Sequence, residues 1–323
     1  MAGLRAHLLP SALKPGDTVA VAALSGGLEE SEQAAFEEGV RELQRAGFTV
    51  QVSPLVELGR SHWWSAAPPA EIAAELNRLL ADRHVRAVFA LTGGRTTFSY
   101  LDLVDLDAVR ADPKPIVGFS DINGLQLAIS ARTGLVTVHG DLVTHGFGYR
   151  HELPEPQRTR LADAYRKVLT STSAAGQLPV HDAAECWRPG RAEGPLLGGI
   201  VNRIVRLQGT PFALPPERFD GAILFLEEVG ASTSGLWNDL HVLRLAGLLD
   251  RIGGVVFGPT STIEVTEGVP GVAEVVLDVV PDVPVLGEVN IGHEPPNLPL
   301  PVGVRAALDA DSRTLELLEP AAR

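Results

Sequence analysis

Segments typical of strands and of helices alternate through the first half of this 323-residue chain, and this alternation restricts the possible folds more than any other feature. Four short apolar runs predict strands and three segments with apolar residues at helical spacing predict helices: strands at 18–23, 48–52, 85–91 and 114–119, and helices at 31–46, 70–82 and 121–132. This rhythm indicates an α/β fold, with an open, mostly parallel sheet covered by helices on both faces. Such sheets bind ligands beyond the carboxyl ends of their strands, where this chain has glycine-containing turns at 92–95 and 118–121.

The rhythm stops after a helix predicted at 155–170. The residues that follow are rich in small and turn-forming types, so we interpret 166–192 as a linker between an N-terminal α/β domain (1–165) and a C-terminal α/β domain (193–323). Apolar runs in the second half predict further strands at 222–226, 252–257 and 283–286 and a terminal strand near 304–318. At roughly 150 residues per domain, the length of the chain is consistent with two domains.

The charge balance and the apolar runs exclude two classes of partner. The chain has 27 basic and 40 acidic residues, a net charge of −13, and its arginines form no stripe that would neutralise nucleic-acid phosphates. No apolar run approaches the roughly 18 residues that a membrane span needs. The prolines and charges near the N-terminus do not fit a secretory signal. We therefore expect a cytoplasmic protein that binds neither nucleic acid nor membrane.

Common bound groups lack their sequence signatures. The single cysteine, Cys186, excludes an internal disulfide framework and a cysteine-rich zinc site. His139 and His145 have no accompanying carboxylate cluster with ligand spacing, so we expect no metal. The Gly-x-Gly-x-x-Gly fingerprint is absent after the first strand, which argues against a dinucleotide. We expect no cofactor.

Ser120 lies in the sequence Gly-Phe-Ser-Asp, where a predicted strand turns into a predicted helix. A hydroxyl at such a turn projects from the sheet edge, beside helix N–H groups that would stabilise a developing negative charge. A serine that only caps the helix is the more common arrangement. Ile122 also stands where a nucleophile elbow has its second glycine, so this motif alone leaves both readings open.

Three other segments carry candidate functional groups. Gly93 and Gly94 would let the backbone approach a ligand closely, although a plain turn explains them equally. Glu227 and Glu228 end an apolar strand and place at least one carboxylate at the sheet edge, unless both are solvated. His293 lies in a loop with glycine and several prolines, and rigid loops of this kind often carry function.

Taken in order, these segments resemble the LD-carboxypeptidase family of serine peptidases, which includes the microcin C immunity proteins. The resemblance runs over nearly the whole chain, through 13–17, 71–82, 118–121, 195–199, 223–228, 243–247 and 292–303. Each segment is weak evidence alone, and their order and spacing carry the resemblance. It implies a homodimer that acts on a small peptide or peptide–nucleotide substrate.

The resemblance also implies a catalytic triad of Ser120 as nucleophile, His293 as general base and Glu227 as the acid that orients it. A serine hydroxyl is a weak nucleophile until an imidazole takes its proton, and a buried carboxylate holds that imidazole in the correct tautomer. The implied oxyanion donors are the N–H groups of Asp121 and of the turn at Gly93 and Gly94. Since these residues come from both halves of the chain, we expect the site to lie between the two domains.

Glu227, rather than Glu228, is the expected acid. Successive strand side chains point to opposite faces, so only one of the two meets His293. Glu227 follows the apolar run directly and aligns with the acid of the family.

The implied reaction is hydrolysis of an L,D-peptide bond that releases a C-terminal D-amino acid from cytoplasmic muropeptides. Two alternatives are hydrolysis of a microcin C-like aminoacyl nucleotide and a catalytically silent relative that only binds a ligand.

The chain departs from the family pattern at five positions, which we expect to surround the cleft and to bear on the identity of the substrate. They are Arg95, Asp141, Ile200, Trp237 and Asn238. Relatives often carry a cation where this chain has Trp237 and Asn238. We therefore expect Arg95 to hold the carboxylate of the substrate, through two parallel hydrogen bonds. A solvated surface arginine is the equally weighted alternative.

Overall fold

The computed structural model describes residues 7–323 and confirms the predicted α/β fold. A six-stranded sheet has the order β2-β1-β3-β4-β5-β12, formed by β1 (Thr18–Ala22), β2 (Thr49–Val52), β3 (Val85–Ala90), β4 (Ile116–Gly118), β5 (Val138–His139) and β12 (Leu300–Pro301). Neighbours from β2 to β5 pair in parallel, and β12 is antiparallel to β5. The chain passes from β1 to β2 on one side and then to β3 on the other. The carboxyl ends of β1 and β3 therefore flank a crevice suited to a ligand.

A second, eight-stranded sheet follows in the second half of the chain. Its order is β6-β14-β13-β8-β9-β10-β11-β7, formed by β6 (Gly176–Gln177), β7 (Glu185–Arg188), β8 (Arg191–Ile200), β9 (Ile223–Glu227), β10 (Gly254–Phe257), β11 (Val285–Gly287), β13 (Arg305–Asp309) and β14 (Thr314–Leu317). The centre, from β8 to β11, is parallel, and both margins are antiparallel. This second sheet is therefore mixed.

Helices flank both sheets. They are α1 (Gln33–Arg45), α2 (Pro54–Glu57), α3 (Pro69–Ala81), α4 (Leu106–Ala111), α5 (Ile122–Thr133), α6 (Gln157–Thr170), α7 (Val201–Leu207), α8 (Thr233–Leu245) and α9 (Val272–Val279). The helices predicted in the first half correspond to α1, α3 and α5, because their apolar positions face the buried sheet. Within residues 7–323, no helix has the length and apolarity that crossing a bilayer requires.

Two segments differ from the expectations. The stretch 166–192, interpreted as a linker, contains the end of α6, β6, β7 and the start of β8. Its short strands β6 and β7 lie at the two margins of the second sheet, where only one neighbour is paired and the hydrophobic alternation is weak. The single strand expected near 304–318 is a hairpin of β13 and β14, in which Ser312 donates its N–H to Asp309 at the turn.

The second half of the chain also returns to the first sheet. Leu300 and Pro301 pair with His139 and Val138 at its edge. The backbone of Arg323 exchanges hydrogen bonds of 2.9 Å with Pro10 and Ala12. Residues assigned to the C-terminal domain therefore complete the N-terminal sheet, and the two halves are interlaced.

Lys114 ties the end of α3 to the start of β4. Its side chain is completely buried, and its ammonium donates to the carbonyl oxygens of Leu79, Leu80 and Asp82 at 2.9, 2.7 and 2.6 Å. These carbonyls lie at the end of α3, where no further helical N–H follows to bond them. Because β4 leads directly to Ser120, this set of hydrogen bonds also fixes the strand that presents the serine.

Replacing Lys114 with methionine removes these charge-assisted hydrogen bonds and leaves the carbonyls of Leu79 and Leu80 without a donor, whereas that of Asp82 still accepts from the N–H of Val85. We expect Lys114→Met to lower the free energy of unfolding by about 3 kcal/mol, measured by urea denaturation. Lys167→Met is the matched control, since Lys167 forms an exposed i,i+4 pair with Asp163. It should change stability by about 0.5 kcal/mol or less. Equal effects of the two variants would contradict this role of Lys114.

Candidate active site

A pocket of about 270 Å³ lies at the carboxyl ends of β1, β3 and β4. Its walls come from turns after these strands and from the loop that carries His293: Gly26, Gly27, Glu29, Glu32, Trp64, Thr92, Gly93, Gly94, Phe119, Ser120, Leu142, His145 and His293. It occupies the crevice that the strand order creates. The structure thus brings together residues of both halves of the chain, and the nucleophile and base predicted from the sequence share one pocket.

Ser120 occupies a sharp turn between β4 and α5. Its φ is +61°, an unusual value for a residue with a Cβ and one that indicates local strain. Asp121, rather than Ser120, precedes the first residue of α5, and the Asp121 side chain does not cap the helix. The hydroxyl of Ser120 instead lies 3.1 Å from Nε2 of His293. The capping alternative therefore does not describe this serine.

His293 is held between Ser120 and Glu227. Its Nδ1 lies 2.8 Å from Oε2 of Glu227, whose side chain is 3% exposed against 23% for the imidazole. The ring of Phe119 meets the imidazole edge-on, with centroids 4.9 Å apart. Within residues 7–323, His293 is the only hydrogen-bond partner of this carboxylate, so a positive charge on the imidazole has a buried counter-ion.

Gly292 allows the loop to approach the acid this closely. Its φ is +97°, and a Cβ there would lie 2.7 Å from Oε2 of Glu227. Asn297 accepts a hydrogen bond of 3.0 Å from the N–H of Gly292 through its side-chain oxygen. The loop that presents His293 is therefore shaped by its own sequence as well as by Glu227.

Glu228 points away from His293, as the alternation of strand side chains requires. Its carboxylate accepts hydrogen bonds from the N–H and the side-chain amide of Asn202, at 3.0 and 2.6 Å. Burial raises the pKa of the Glu228 carboxyl above its ordinary value. The two adjacent acids thus contact different elements, and only Glu227 reaches the imidazole.

The turn of Gly93 and Gly94 lies beside the serine hydroxyl. A Cβ at Gly93 would be 3.0 Å from Oγ of Ser120, so the backbone itself forms this wall. Among the described residues, the N–H groups of Gly93, Gly94 and Asp121 donate to no protein acceptor. These three groups are available to a ligand oxygen beside Ser120.

The five positions that depart from the family pattern do not surround the pocket as expected. Arg95 is exposed and lies just outside the lining residues. Asp141 is buried against Arg150. The N–H of Ile200 donates to Asn123 between the two halves of the chain. Trp237 bonds Asp278 on α9, and its neighbour Asn238 bonds its own helix. Tertiary contacts therefore hold Asp141, Ile200 and Trp237 away from the cleft, whereas Arg95 stays exposed beside it.

Sequence reasoning missed several residues of the pocket wall. Trp64 is 57% exposed and follows another exposed tryptophan, Trp63, at the mouth. Exposed tryptophans in pairs are uncommon, so the Trp-Trp sequence was an available signal. Glu32 and His145 also line the pocket, 3.8 Å apart, and burial lowers the pKa of His145. No local pattern in the sequence distinguishes these two residues.

A larger cavity of about 420 Å³ lies between α1 and α6, outside this pocket. Its aromatic floor includes Phe147 and Tyr165, whose ring centroids each lie 4.0 Å from the guanidinium carbon of Arg150. That guanidinium is already paired with Asp141 at 2.8 Å. Its lining residues include no hydroxyl or thiol beside an imidazole, whereas the smaller pocket pairs Ser120 with His293.

Comparison with known proteins agrees with this geometry. Residues 19–140 match the family model described as the LD-carboxypeptidase N-terminal domain, and residues 193–308 match the one described as the LD-carboxypeptidase C-terminal domain. A putative carboxypeptidase of Streptomyces coelicolor is 35% identical over 327 residues, which cover 98% of each chain. The chain belongs to the LD-carboxypeptidase family of serine peptidases.

Other relatives of this family member carry two kinds of name. The microcin C7 self-immunity protein MccF of Escherichia coli is 26% identical, over 97% of this chain and 96% of its own. A probable murein peptide carboxypeptidase of Bacillus subtilis is 28% identical, over 94% and 92%. A solved structure of MccF in complex with glutamyl sulfamoyl guanosine superposes with a TM-score of 0.86 at 25% identity, covering 98% of this chain and all of that one.

The different surroundings of the two adjacent acids predict different effects on this LD-carboxypeptidase family member. Glu227→Gln removes the charge beside His293, so we expect turnover to fall by about 10⁴-fold, as when the acid of a serine-peptidase triad is made neutral. Glu228→Gln keeps a hydrogen-bonding group at Asn202 and should leave substantial activity. Parallel kinetics of both variants, each checked for folding by circular dichroism, measure this. The opposite ranking would assign the acid to Glu228.

Proposed function

We propose that this protein hydrolyses amide bonds with Ser120 as nucleophile, His293 as general base and Glu227 as the orienting acid. The observation that carries the proposal is the continuous hydrogen-bonded chain from Oγ of Ser120 through the imidazole to the buried carboxylate, at 3.1 and 2.8 Å. Membership of a serine peptidase family supports the same chemistry.

In the first half of the reaction, Nε2 of His293 takes the proton of Ser120 as Oγ attacks the scissile carbonyl carbon. The carbonyl oxygen gains a negative charge, which the N–H groups of Gly93, Gly94 and Asp121 stabilise. Glu227 accepts the Nδ1–H of His293 and stabilises the imidazolium. His293 then donates its proton to the leaving nitrogen, and the C–N bond breaks to give an acyl-enzyme and a free amine.

In the second half, water replaces the amine beside His293. Nε2 takes a proton from the water as its oxygen attacks the acyl carbon, and the same three N–H groups stabilise the second oxyanion. When this intermediate collapses, the bond to Oγ breaks and His293 returns the proton to Ser120. The products are a carboxylic acid and an amine, and the enzyme is restored.

The substrate that we propose is a cytoplasmic muropeptide, cleaved at an L,D-peptide bond to release its C-terminal D-amino acid. The description of the family and the name of the Bacillus subtilis relative support a cell-wall peptide. The small volume of the pocket also suits one end of a peptide better than its middle. The homodimer implied by the family resemblance is part of this proposal.

A second candidate is hydrolysis of an aminoacyl-nucleotide amide, a self-immunity activity. The exposed indole of Trp64 on the pocket wall favours it, because a planar base stacks on an aromatic ring. The solved MccF complex holds an aminoacyl sulfamoyl nucleoside, and the fold of that protein is shared over nearly the whole chain.

Mass spectrometry of the purified protein with both substrate types tests the proposal. We expect release of D-alanine from a muramoyl tetrapeptide, and Ser120→Ala should lower that turnover by about 10⁶-fold, as in other serine peptidases that lose their nucleophile. Release of the amino acid from an aminoacyl sulfamoyl adenosine alone would select the second candidate. Near-wild-type turnover by a folded Ser120→Ala protein would contradict the proposed triad. A Ser120 that does not react with phosphonylating reagents would indicate a catalytically silent relative.

The proposed contact of Arg95 with the substrate carboxylate has its own test. Arg95 is exposed beside the glycine turn, and its long side chain would have to swing towards the pocket to meet a ligand. We expect Arg95→Ala to lower kcat/KM more for an acid-terminated peptide than for its C-terminal amide, since only the acid offers a charged partner. Equal losses on the two peptides would show that Arg95 does not recognise the carboxylate.

A further inference from the structure

The carboxylate of Asp121 is a buried junction next to the nucleophile. One oxygen accepts hydrogen bonds from the hydroxyl of Ser25 at 2.7 Å and from the N–H groups of Thr96 and Thr97 at 2.7 and 2.9 Å. The other oxygen accepts a hydrogen bond of 2.8 Å from Nε of Arg203. Asp121 is 1% exposed, so these contacts replace its hydration completely.

Arg203 reaches this junction from the other half of the chain. It lies on α7, is 6% exposed, and donates from three nitrogens to three different residues. Besides Nε to Asp121, Nη1 donates to the side-chain oxygen of Asn202, and Nη2 donates to the carbonyl of Gly94 at 3.2 Å. The planar guanidinium holds these acceptors in one fixed arrangement, which a lysine ammonium does not do.

The network continues to the strand that carries the acid. Asn202 donates to Glu228, which follows Glu227 on the chain. Asp121 follows Ser120 in the same way. A chain of hydrogen bonds therefore joins the neighbour of the acid to the neighbour of the nucleophile, and Arg203 is the link that crosses between the two halves.

Arg203 also helps to hold the glycine turn in place, through the carbonyl of Gly94. In a trans peptide the C=O and the N–H point in opposite directions, so a donor on the carbonyl sets the direction of the amide. The carbonyl of Gly93 accepts from the N–H of Gly26 at 2.8 Å, and the carbonyl of Gly94 accepts from Arg203. The bond from Gly26 sets the direction of the Gly94 N–H, because this N–H and the Gly93 carbonyl belong to one peptide. The bond from Arg203 holds the next peptide, between Gly94 and Arg95, and so keeps Gly94 in place from its other side.

We propose that Arg203 is a positioning residue that holds the turn of Gly93 and Gly94 against Ser120, so that its N–H groups meet the oxyanion. This inference rests on the proposed function, since it assigns a task within that reaction. Arg203 touches neither the substrate nor the reacting atoms and acts through Gly94 and Asp121. Arg203 stabilises the reaction only when negative charge develops on the carbonyl oxygen of the substrate. Its loss therefore lowers kcat and leaves KM almost unchanged.

The test compares Arg203→Met and Arg203→Lys with Arg206→Met. Arg206 lies on the same helix but is exposed, so its replacement removes one charge without touching the network. Removing an oxyanion donor costs about 10²–10³-fold in kcat, and a displaced donor costs less. We expect Arg203→Met to lower kcat about 10- to 100-fold with KM within about threefold, and Arg206→Met to match the wild type.

Arg203→Lys keeps a cation beside Asp121 and guards against a methionine variant that does not fold. We expect this variant to fold and to lose part of kcat, because an ammonium does not bond Asp121, Asn202 and Gly94 at once. Guanidinium added at millimolar concentration should restore part of the activity of a folded Arg203→Ala protein, in which the smaller side chain leaves space for it. The pH profile of kcat/KM should keep its midpoint, because Arg203 contacts neither Ser120 nor His293.

A second readout uses no peptide substrate. The rate at which a fluorophosphonate modifies Ser120 should fall in the Arg203 variants in parallel with kcat, because the reagent also develops an oxyanion beside Oγ. A wild-type protein that does not react would overturn the proposed function itself. A wild type that reacts, with folded Arg203 variants reacting at the same rate, would overturn only the role of Arg203. A loss confined to KM, or a shifted pH profile, would overturn it as well.

Discussion

The hydrogen bond between Ser120 and His293 joins residues that are 173 positions apart, and the rest of the site depends on it. The serine is presented by the first sheet, whereas the acid behind the histidine is presented by the second. A change of one ångström between the sheets would break the bond, since hydrogen bonds weaken steeply beyond about 3.2 Å. The interface between the sheets therefore sets the geometry of the candidate site.

Several buried polar contacts keep that interface in register. Asn123, on the helix that follows Ser120, accepts a hydrogen bond from the N–H of Ile200 at 3.1 Å and bonds His139 at 3.1 Å. Burial lowers the pKa of His139 to about 3, so this imidazole is neutral near pH 7 and adds no charge behind His293. The ring of His139 also meets Phe225 on β9 edge-on, at 5.2 Å. Neutral hydrogen bonds and ring contacts thus align the two halves of the site.

The sequence predicted those elements whose pattern is local. The alternation of apolar runs with amphipathic segments defined β1 to β4 and their helices, because β1, β3 and β4 are buried on both faces and β2 at the margin is still largely apolar. It did not define β5 or β12, since strands of two residues have no periodicity. The edge strands β6 and β7 were not predicted either, because they are short and lie in a polar, turn-rich segment. The consecutive tryptophans Trp63 and Trp64 are a local feature of the sequence, but only the fold shows that Trp64 lines the pocket.

For the site, the order of motifs selected Ser120, Glu227 and His293, and the structure brings those three side chains together. Residues that act through tertiary contacts could not be predicted from the sequence. An arginine in a short amphipathic helix is normally solvated, and the burial of Arg203 depends on Asp121, 82 residues earlier. Asp141, Ile200 and Trp237 were expected at the cleft and lie elsewhere. The direction in which their side chains point depends on tertiary contacts, which the sequence does not show.

The return of residues 300–301 to the first sheet has a consequence for how such a chain evolves. Without β12, the edge of β5 would expose unpaired backbone groups, a template for aggregation. Recombination that exchanged one half of the gene for that of a distant relative would have to preserve the pairing of Leu300 with His139. Changes at this pairing therefore have to occur in both halves together. We expect the substrate range of such a chain to diversify through its pocket loops rather than through exchange of domains.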